Sequence, residues 1–280
     1  MFWLHFRNEL RKLFGKKRTY IGFGVFLLSQ NLILFALHFS NWRLDTTQRL
    51  EGNGYLAGDY LSALTAALLM LIPQILLLMP LYVTLVGGDL VAKEAEDGTL
   101  RMILSRPISR LRLLFVKWLS GVVFAAILVL ALGVMALCFA RMWFPWGGMF
   151  VATQVPVQIF ALLRPDEGLW HFAGAHLYLA VNACTMLSLA FMFSCFNMKP
   201  AAATILALSF LLVSLVMETM PFFEDYKEWN IVHHMRSWLL LFARPRAWPQ
   251  IVESLTVLAA INATAFIIGA AHFQSRDIKS

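Results

Sequence analysis

The densest group of chemically capable side chains in this sequence is acidic. Glu94, Glu96 and Asp97 run directly into Gly98 and Thr99, followed by Leu100, Arg101, Met102, Ile103, Leu104, Ser105, Arg106 and Pro107. A threonine at this point can cap a helix, and carboxylates beside it favour the positive end of the helix dipole. Leu100, Ile103 and Leu104 then fall on one helical face, with Arg101, Ser105 and Arg106 elsewhere. Pro107 stops the helix, and Ser109 can cap the next one. The expected product is a short, amphipathic, charge-tipped helix, suited to docking against a soluble partner. An ordinary basic loop between two apolar segments is the plainer alternative.

Enzymatic chemistry lacks its signatures. His233 and His234 are adjacent, which cannot place two metal ligands on one helix face as H-E-x-x-H does. No G-x-S-x-G elbow and no G-x-x-x-x-G-K-[ST] phosphate loop occurs; Gly15, Lys16 and Lys17 form only a fragment of the latter. The chain is therefore not expected to be an enzyme or to hydrolyse ATP itself. Cys138, Cys184 and Cys195 lie scattered in apolar runs and read as packing residues.

The elements that position these residues follow from composition. Of 280 residues, 60% are hydrophobic and 14% charged, against roughly 45–50% and 25% in soluble domains. The mean hydropathy is +0.69. That balance excludes a water-soluble globule, a disordered chain and a disulfide scaffold, and it points to an all-α integral membrane protein. Segments 20–39, 61–86, 118–140, 173–196, 201–220 and 251–273 are each apolar over about the 20 residues that a crossing helix needs. Pro73 and Pro80 interrupt the second and predict a kink. The whole chain, residues 1–280, reads as one transmembrane domain with no separate soluble part.

Charge sets the expected orientation. The stretch before residue 20, the loop at 87–117, Lys199 and the C-terminal Arg276 and Lys279 hold most of the Lys and Arg, so these parts and both termini are expected in the cytoplasm. The net charge of +7 is explained by this arrangement, with no nucleic-acid partner required. Trp42, Trp143, Trp146, Trp170, Trp229, Trp238 and Trp248 fall in outer segments, as interfacial anchors do. At the N-terminus Phe6, Leu10, Leu13 and Phe14 oppose Arg7, Asn8, Arg11 and Lys12, which describes an amphipathic helix on the inner leaflet and in contact with membrane lipids. The apolar run 238–242 is too short to span and reads as an interfacial or re-entrant helix between the fifth and sixth spans.

Ion coupling would need buried charges, and Glu218 and Glu253 at span ends read as interfacial groups. Gln30, Asn31, Gln74, Asn182 and Asn262 are the polar candidates for a translocation path. As simple interhelical hydrogen bonds, each would contribute about 0.6–2 kcal/mol.

The segment Glu94…Gly98-Thr99-Leu100, then Leu104-Ser105-Arg106-Pro107-Ile108-Ser109-Arg110 and Lys117, resembles the signature of type-2 ABC exporter permeases. The amphipathic lead with Glu9, the six spans and the ending Phe273-Gln274-Ser275-Arg276-Asp277-Ile278 are similar to that family as well. Importer permeases place a glycine six residues after their loop glutamate. Gly98 follows Glu94 by four, and that family is set aside.

The resemblance implies the membrane-spanning permease of an ATP-driven exporter in the bacterial cytoplasmic membrane, paired with a second permease copy or a relative. A separate ATPase subunit, carrying ATP and Mg²⁺, would dock on the loop at Glu94, Glu96, Asp97, Gly98, Thr99 and Leu100, with Arg101, Ile103, Leu104 and Pro107 alongside. The alternative of a different class is an ATP-independent secondary transporter or assembly scaffold.

Overall fold

An apolar segment inside a bilayer must satisfy its backbone hydrogen bonds internally, so it becomes a helix, and a helix of about 20 residues crosses the hydrocarbon core. In the computed structural model, which describes residues 2–52, 54–55, 57–105, 108–153 and 158–275, six helices are long and apolar enough to do so. They are α2 (Lys17–Phe39), the run Ala63–Glu96, α8 (Arg110–Trp143), α9 (Pro165–Ser194), α10 (Pro200–Thr219) and α12 (Trp248–Ser275). A shorter amphipathic helix, α1 (Phe2–Gly15), precedes them and turns Phe6 and Leu13 inward against α8. This is a multi-pass, predominantly helical membrane protein.

The helices outrun the apolar segments that announced them. The second continues ten residues past 86, through Asp89, Lys93 and Glu94, so about a third of the expected loop belongs to this helix. Hydropathy ends where charge begins, whereas helical hydrogen bonding does not. This run begins as α5 (Ala63–Pro73), with Ser62 Oγ accepting from the amides of Leu64 and Thr65. It passes through a π-helical turn at Gln74–Leu78 and ends as α6 (Met79–Glu96). Pro73 and Pro80 each lack the N–H that would bond the preceding turn, and the wider turn sits between them. The expected interruption is therefore a π turn within a continuous helix. Ser109 caps α8 as expected, its Oγ accepting from the Arg112 amide at 3.4 Å.

Helix α9 runs through the centre of the bundle and packs against α6, α8, α10 and α12. Two adjacent glycines let α6 approach its neighbours. A Cβ at Gly87 would lie 2.5 Å from the Leu187 carbonyl oxygen, and one at Gly88 would lie 2.5 Å from Thr204 Oγ1.

The connections hold more structure than the sequence suggested. Between the first two spans lie α3 (Trp42–Gly52) and α4 (Ala57–Tyr60). Between α8 and α9 lies an antiparallel hairpin of β1 (Met149–Thr153) and β2 (Ile159–Leu163), in register from Met149↔Leu163 to Thr153↔Ile159. Met149, Val151, Ile159, Ala161 and Leu163 face inward in strict alternation. Between α10 and α12 the chain forms a 3-10 segment Pro221–Trp229, then α11 (Ile231–Arg236), then a second 3-10 segment Ser237–Phe242. The last contains the short apolar run singled out in the sequence.

Candidate functional site

The acidic segment divides into two parts with different surroundings. Glu94, on the last turn of α6, points inward and is 6% exposed. Its Oε1 lies 2.7 Å from Lys117 Nζ on α8 and also pairs with Lys12 of α1. Lys117 in turn reaches Glu9 Oε2 of α1 at 3.3 Å. Burying an unpaired charge costs several kcal/mol, and alternating carboxylates and ammonium groups offset that cost. The Lys117 side chain is only 1% exposed, so its two carboxylate partners are what permit it there. Three chain segments, α1, α6 and α8, thus meet at one ion cluster.

Lys12 feels the cluster directly. Partial burial disfavours its charge, but the hydrogen bond it donates to Glu94 and the charges of Glu9, Glu94 and Asp97 outweigh that and raise its pKa above the ordinary lysine value. Lys16, on the flank, is shifted the other way, by burial and by the positive charges of Lys12, Arg18 and Lys117. Further ties bind the same end. Arg18 pairs with Asp89, Thr19 Oγ1 donates to the Leu13 carbonyl at 2.6 Å, and Tyr82 OH donates to the Thr19 carbonyl at 3.2 Å.

Glu96 and Asp97 face outward instead. Both are exposed and share Lys93, at 3.0 Å and 3.1 Å. The chain then turns at Gly98, whose φ of +71° lies in the left-handed region that side chains with a Cβ resist. Helix α7 (Thr99–Leu104) follows. Thr99 does not cap it, as the sequence suggested. Gly98 occupies the cap position, and Thr99 Oγ1 donates back to the Glu94 carbonyl at 3.3 Å. Leu100 is buried, Ile103 half-buried and Met102 65% exposed, so α7 is amphipathic as expected. Arg101 and Leu104 belong to α7, while Pro107 lies outside the described residues, as do Arg106 and the tail from Arg276. Beside α7, a cavity of about 370 Å³ opens against α1 and α8, lined by His5, Asn8, Glu9, Met102, Ile103 and Arg112 among others.

Most of the polar residues within the spans act as ties between helices. Buried Gln30 donates to the Leu132 carbonyl at 3.0 Å and approaches Gln74 Oε1 at 3.4 Å. Asn262 donates to Thr185 Oγ1 and accepts from Ser188 Oγ, both at 2.7 Å. Asn31 is exposed and, among the described residues, bonds only within its own helix, to the Leu27 carbonyl at 2.8 Å. Asn182, in the middle of α9, donates to the Met235 carbonyl at 2.8 Å and borders a cavity of about 620 Å³. Gln74 and Asn31 are not lining residues of that cavity; Ile72, Ile75, Leu76, Leu211, Leu215 and Leu239 are.

Several functional-looking groups escaped sequence reasoning. Glu9 and Lys117 were noted only through the family resemblance, though a lysine between Val116 and Trp118 at the start of an apolar run is itself a signal. Glu218 lies at the end of α10, as expected, but it is not open to the surface. It is buried, accepts from Asn230 Nδ2 at 3.1 Å and faces His233 Nδ1 at 3.6 Å. Glu253, by contrast, is exposed.

Comparison with known proteins places this architecture. The model of the ABC-2 family transporter protein matches residues 4–272. Uncharacterized protein YhcI of Bacillus subtilis (strain 168) is 25% identical over 118 residues, which are 42% of this chain and 38% of that protein. The alignment thus spans well under half of that relative. With nearly every described residue inside the family match, the chain belongs to the ABC-2 family of transporter proteins.

Proposed function

We propose that this chain is the membrane-spanning permease subunit of an ATP-driven exporter. It works as a pair of permease copies, in the bacterial cytoplasmic membrane with both termini in the cytoplasm. A separate ATPase subunit binds ATP and Mg²⁺ and performs the hydrolysis. It docks on α7 and the exposed carboxylates Glu96 and Asp97, with Gly98, Thr99, Leu100, Arg101, Ile103, Leu104 and Pro107 in or near the contact. The observation that carries this reading is the projection of a six-residue amphipathic helix between two membrane-crossing helices, tied at its root to a buried ion cluster.

Glu94 has a different part from its neighbours. Its carboxylate is directed away from the docking surface and toward Lys117 and Lys12. We assign it to transmission: a push on α7 moves Glu94, and through it α8 and α1 together. A partner can shift such an equilibrium only by binding its two states differently, and a nucleotide-driven ATPase pair supplies that difference.

Purification of the tagged chain from its native cells in mild detergent, followed by mass spectrometry, tests the reading. A nucleotide-binding subunit in stoichiometric amount is expected. A chain that purifies alone and shows no ATPase activity would turn the assignment toward an ATP-independent transporter or scaffold.

A further inference from the structure

The connection between α10 and α12 does not stay at the membrane edge. It descends along α9 in three steps: His171 Nδ1 meets the Leu241 carbonyl at 3.1 Å, Tyr178 OH donates to the His234 carbonyl at 2.6 Å, and Asn182 reaches the Met235 carbonyl at 2.8 Å. At 1.5 Å per helical residue, the passage from His171 to Asn182 covers about 16 Å. Arg236 follows Met235, so a guanidinium is carried to the level of the middle of a membrane-crossing helix. Charge at that depth is costly and ordinarily paired.

Arg236 is half-buried and forms no ion pair or side-chain hydrogen bond among the described residues. It lines the cavity of about 620 Å³, whose walls are otherwise largely apolar. The other charges on that wall are already engaged. Glu218 is held by Asn230 and faces His233, and Lys227 pairs with Glu224 at 3.2 Å. Asn182 also lines the cavity, and its amide is already committed to the Met235 carbonyl.

We propose that this cavity binds a membrane amphiphile with a phosphate-type anionic headgroup. Arg236 grips the headgroup, and Ile72, Leu76, Leu215 and Leu239 contact the chain. The volume suits such a ligand, since sites for small molecules run from about 300 to 1,000 Å³. A planar guanidinium presents paired donors that match two phosphate oxygens. The inference rests on the permease reading and names the chemical class that its path accepts.

The test uses the full chain in detergent and native mass spectrometry with phosphatidylglycerol, phosphatidylcholine and inorganic phosphate as probes. Phosphatidylglycerol is expected to be retained over phosphatidylcholine by about tenfold or more, the size of one charge-assisted contact. Arg236→Gln should bring the two lipids to parity, Arg236→Lys should keep part of the preference, and Glu218→Gln should leave it in place. Leu239→Trp, which fills the cavity, should weaken both lipids. Parity in the unmodified chain, or an undiminished preference in Arg236→Gln, would overturn the proposal. So would displacement of the lipid by inorganic phosphate alone, or a loss of copy–copy association in Arg236→Gln with lipid preference intact. Capture of an ATPase by the same Arg236→Gln sample is read separately: its absence in every sample would fail the permease reading and leave the lipid site standing.

Discussion

Where α6 meets α7, the polar groups are charged: a lysine with a 1% exposed side chain sits between Glu9 and Glu94, with Lys12 and the Arg18–Asp89 pair nearby. Where the connection between α10 and α12 turns along α9, they are mostly neutral side chains bonded to backbone. Tyr178 and Asn182 donate to successive carbonyls at the end of the short helix α11, His234 meets Ser254 at 3.1 Å, and Ser254 meets Ser237 at 2.9 Å. The two solutions differ in range. Coulomb attraction falls off slowly with distance, so an ion cluster can hold helices together through a shift. A neutral hydrogen bond weakens steeply once its length or angle changes. On the proposed mechanism the α7 end stays joined while it moves, and the opposite end keeps one shape.

That contrast can be broken most sharply at Lys117. Lys117→Met leaves Glu9 without its partner and Glu94 with Lys12 alone, and should cost about 3–5 kcal/mol, the usual penalty for removing half of a buried ion pair. Thermal unfolding in detergent measures it. Adding Glu94→Gln should recover part of the loss, and a Lys117→Met protein as stable as the parent would remove the ion cluster from the account. At the other end, Tyr178→Phe leaves the His234 carbonyl with only the Ser237 amide as donor and should cost about 1 kcal/mol. That loss should be independent of salt, and a salt-dependent one would mean that charge matters there too. The smallest effect belongs to Lys93, whose pairs with Glu96 and Asp97 are open to water. Lys93→Ala should leave the unfolding temperature unchanged, because exposed ion pairs contribute little.

The six crossing helices were legible because a bilayer imposes a length of about 20 apolar residues and the sequence obeys it. Their ends were not, since hydropathy falls at Gly87 while the helix continues to Glu96. The amphipathic character of α7 and the Ser109 cap could be read from spacing alone. The inward turn of Glu94 could not, because its partners Lys12 and Lys117 come from distant parts of the chain, and only the meeting of α1, α6 and α8 reveals them. The β-hairpin did carry a signal, the alternation Met149, Val151 and then Ile159, Ala161, Leu163. Set in a short connection rich in Pro, Gly and Trp, it was overshadowed by the helical pattern on either side. Glu218 read as a group at a span end, and its burial against Asn230 and His233 shows only once the connection after α10 folds back over it.

Charge reversal at the exposed tip tests the division between Asp97 and Glu94 most directly. The chain carrying Asp97→Lys, purified alongside the parent in mild detergent, would be assayed for ATPase capture and for its unfolding temperature. Loss of the ATPase with the unfolding temperature preserved is expected, because Asp97 lies on the surface and pairs only with exposed Lys93 among the described residues. An Asp97→Lys chain that captures and stimulates the ATPase as the parent does would contradict the assignment of α7 and its acidic approach as the docking surface.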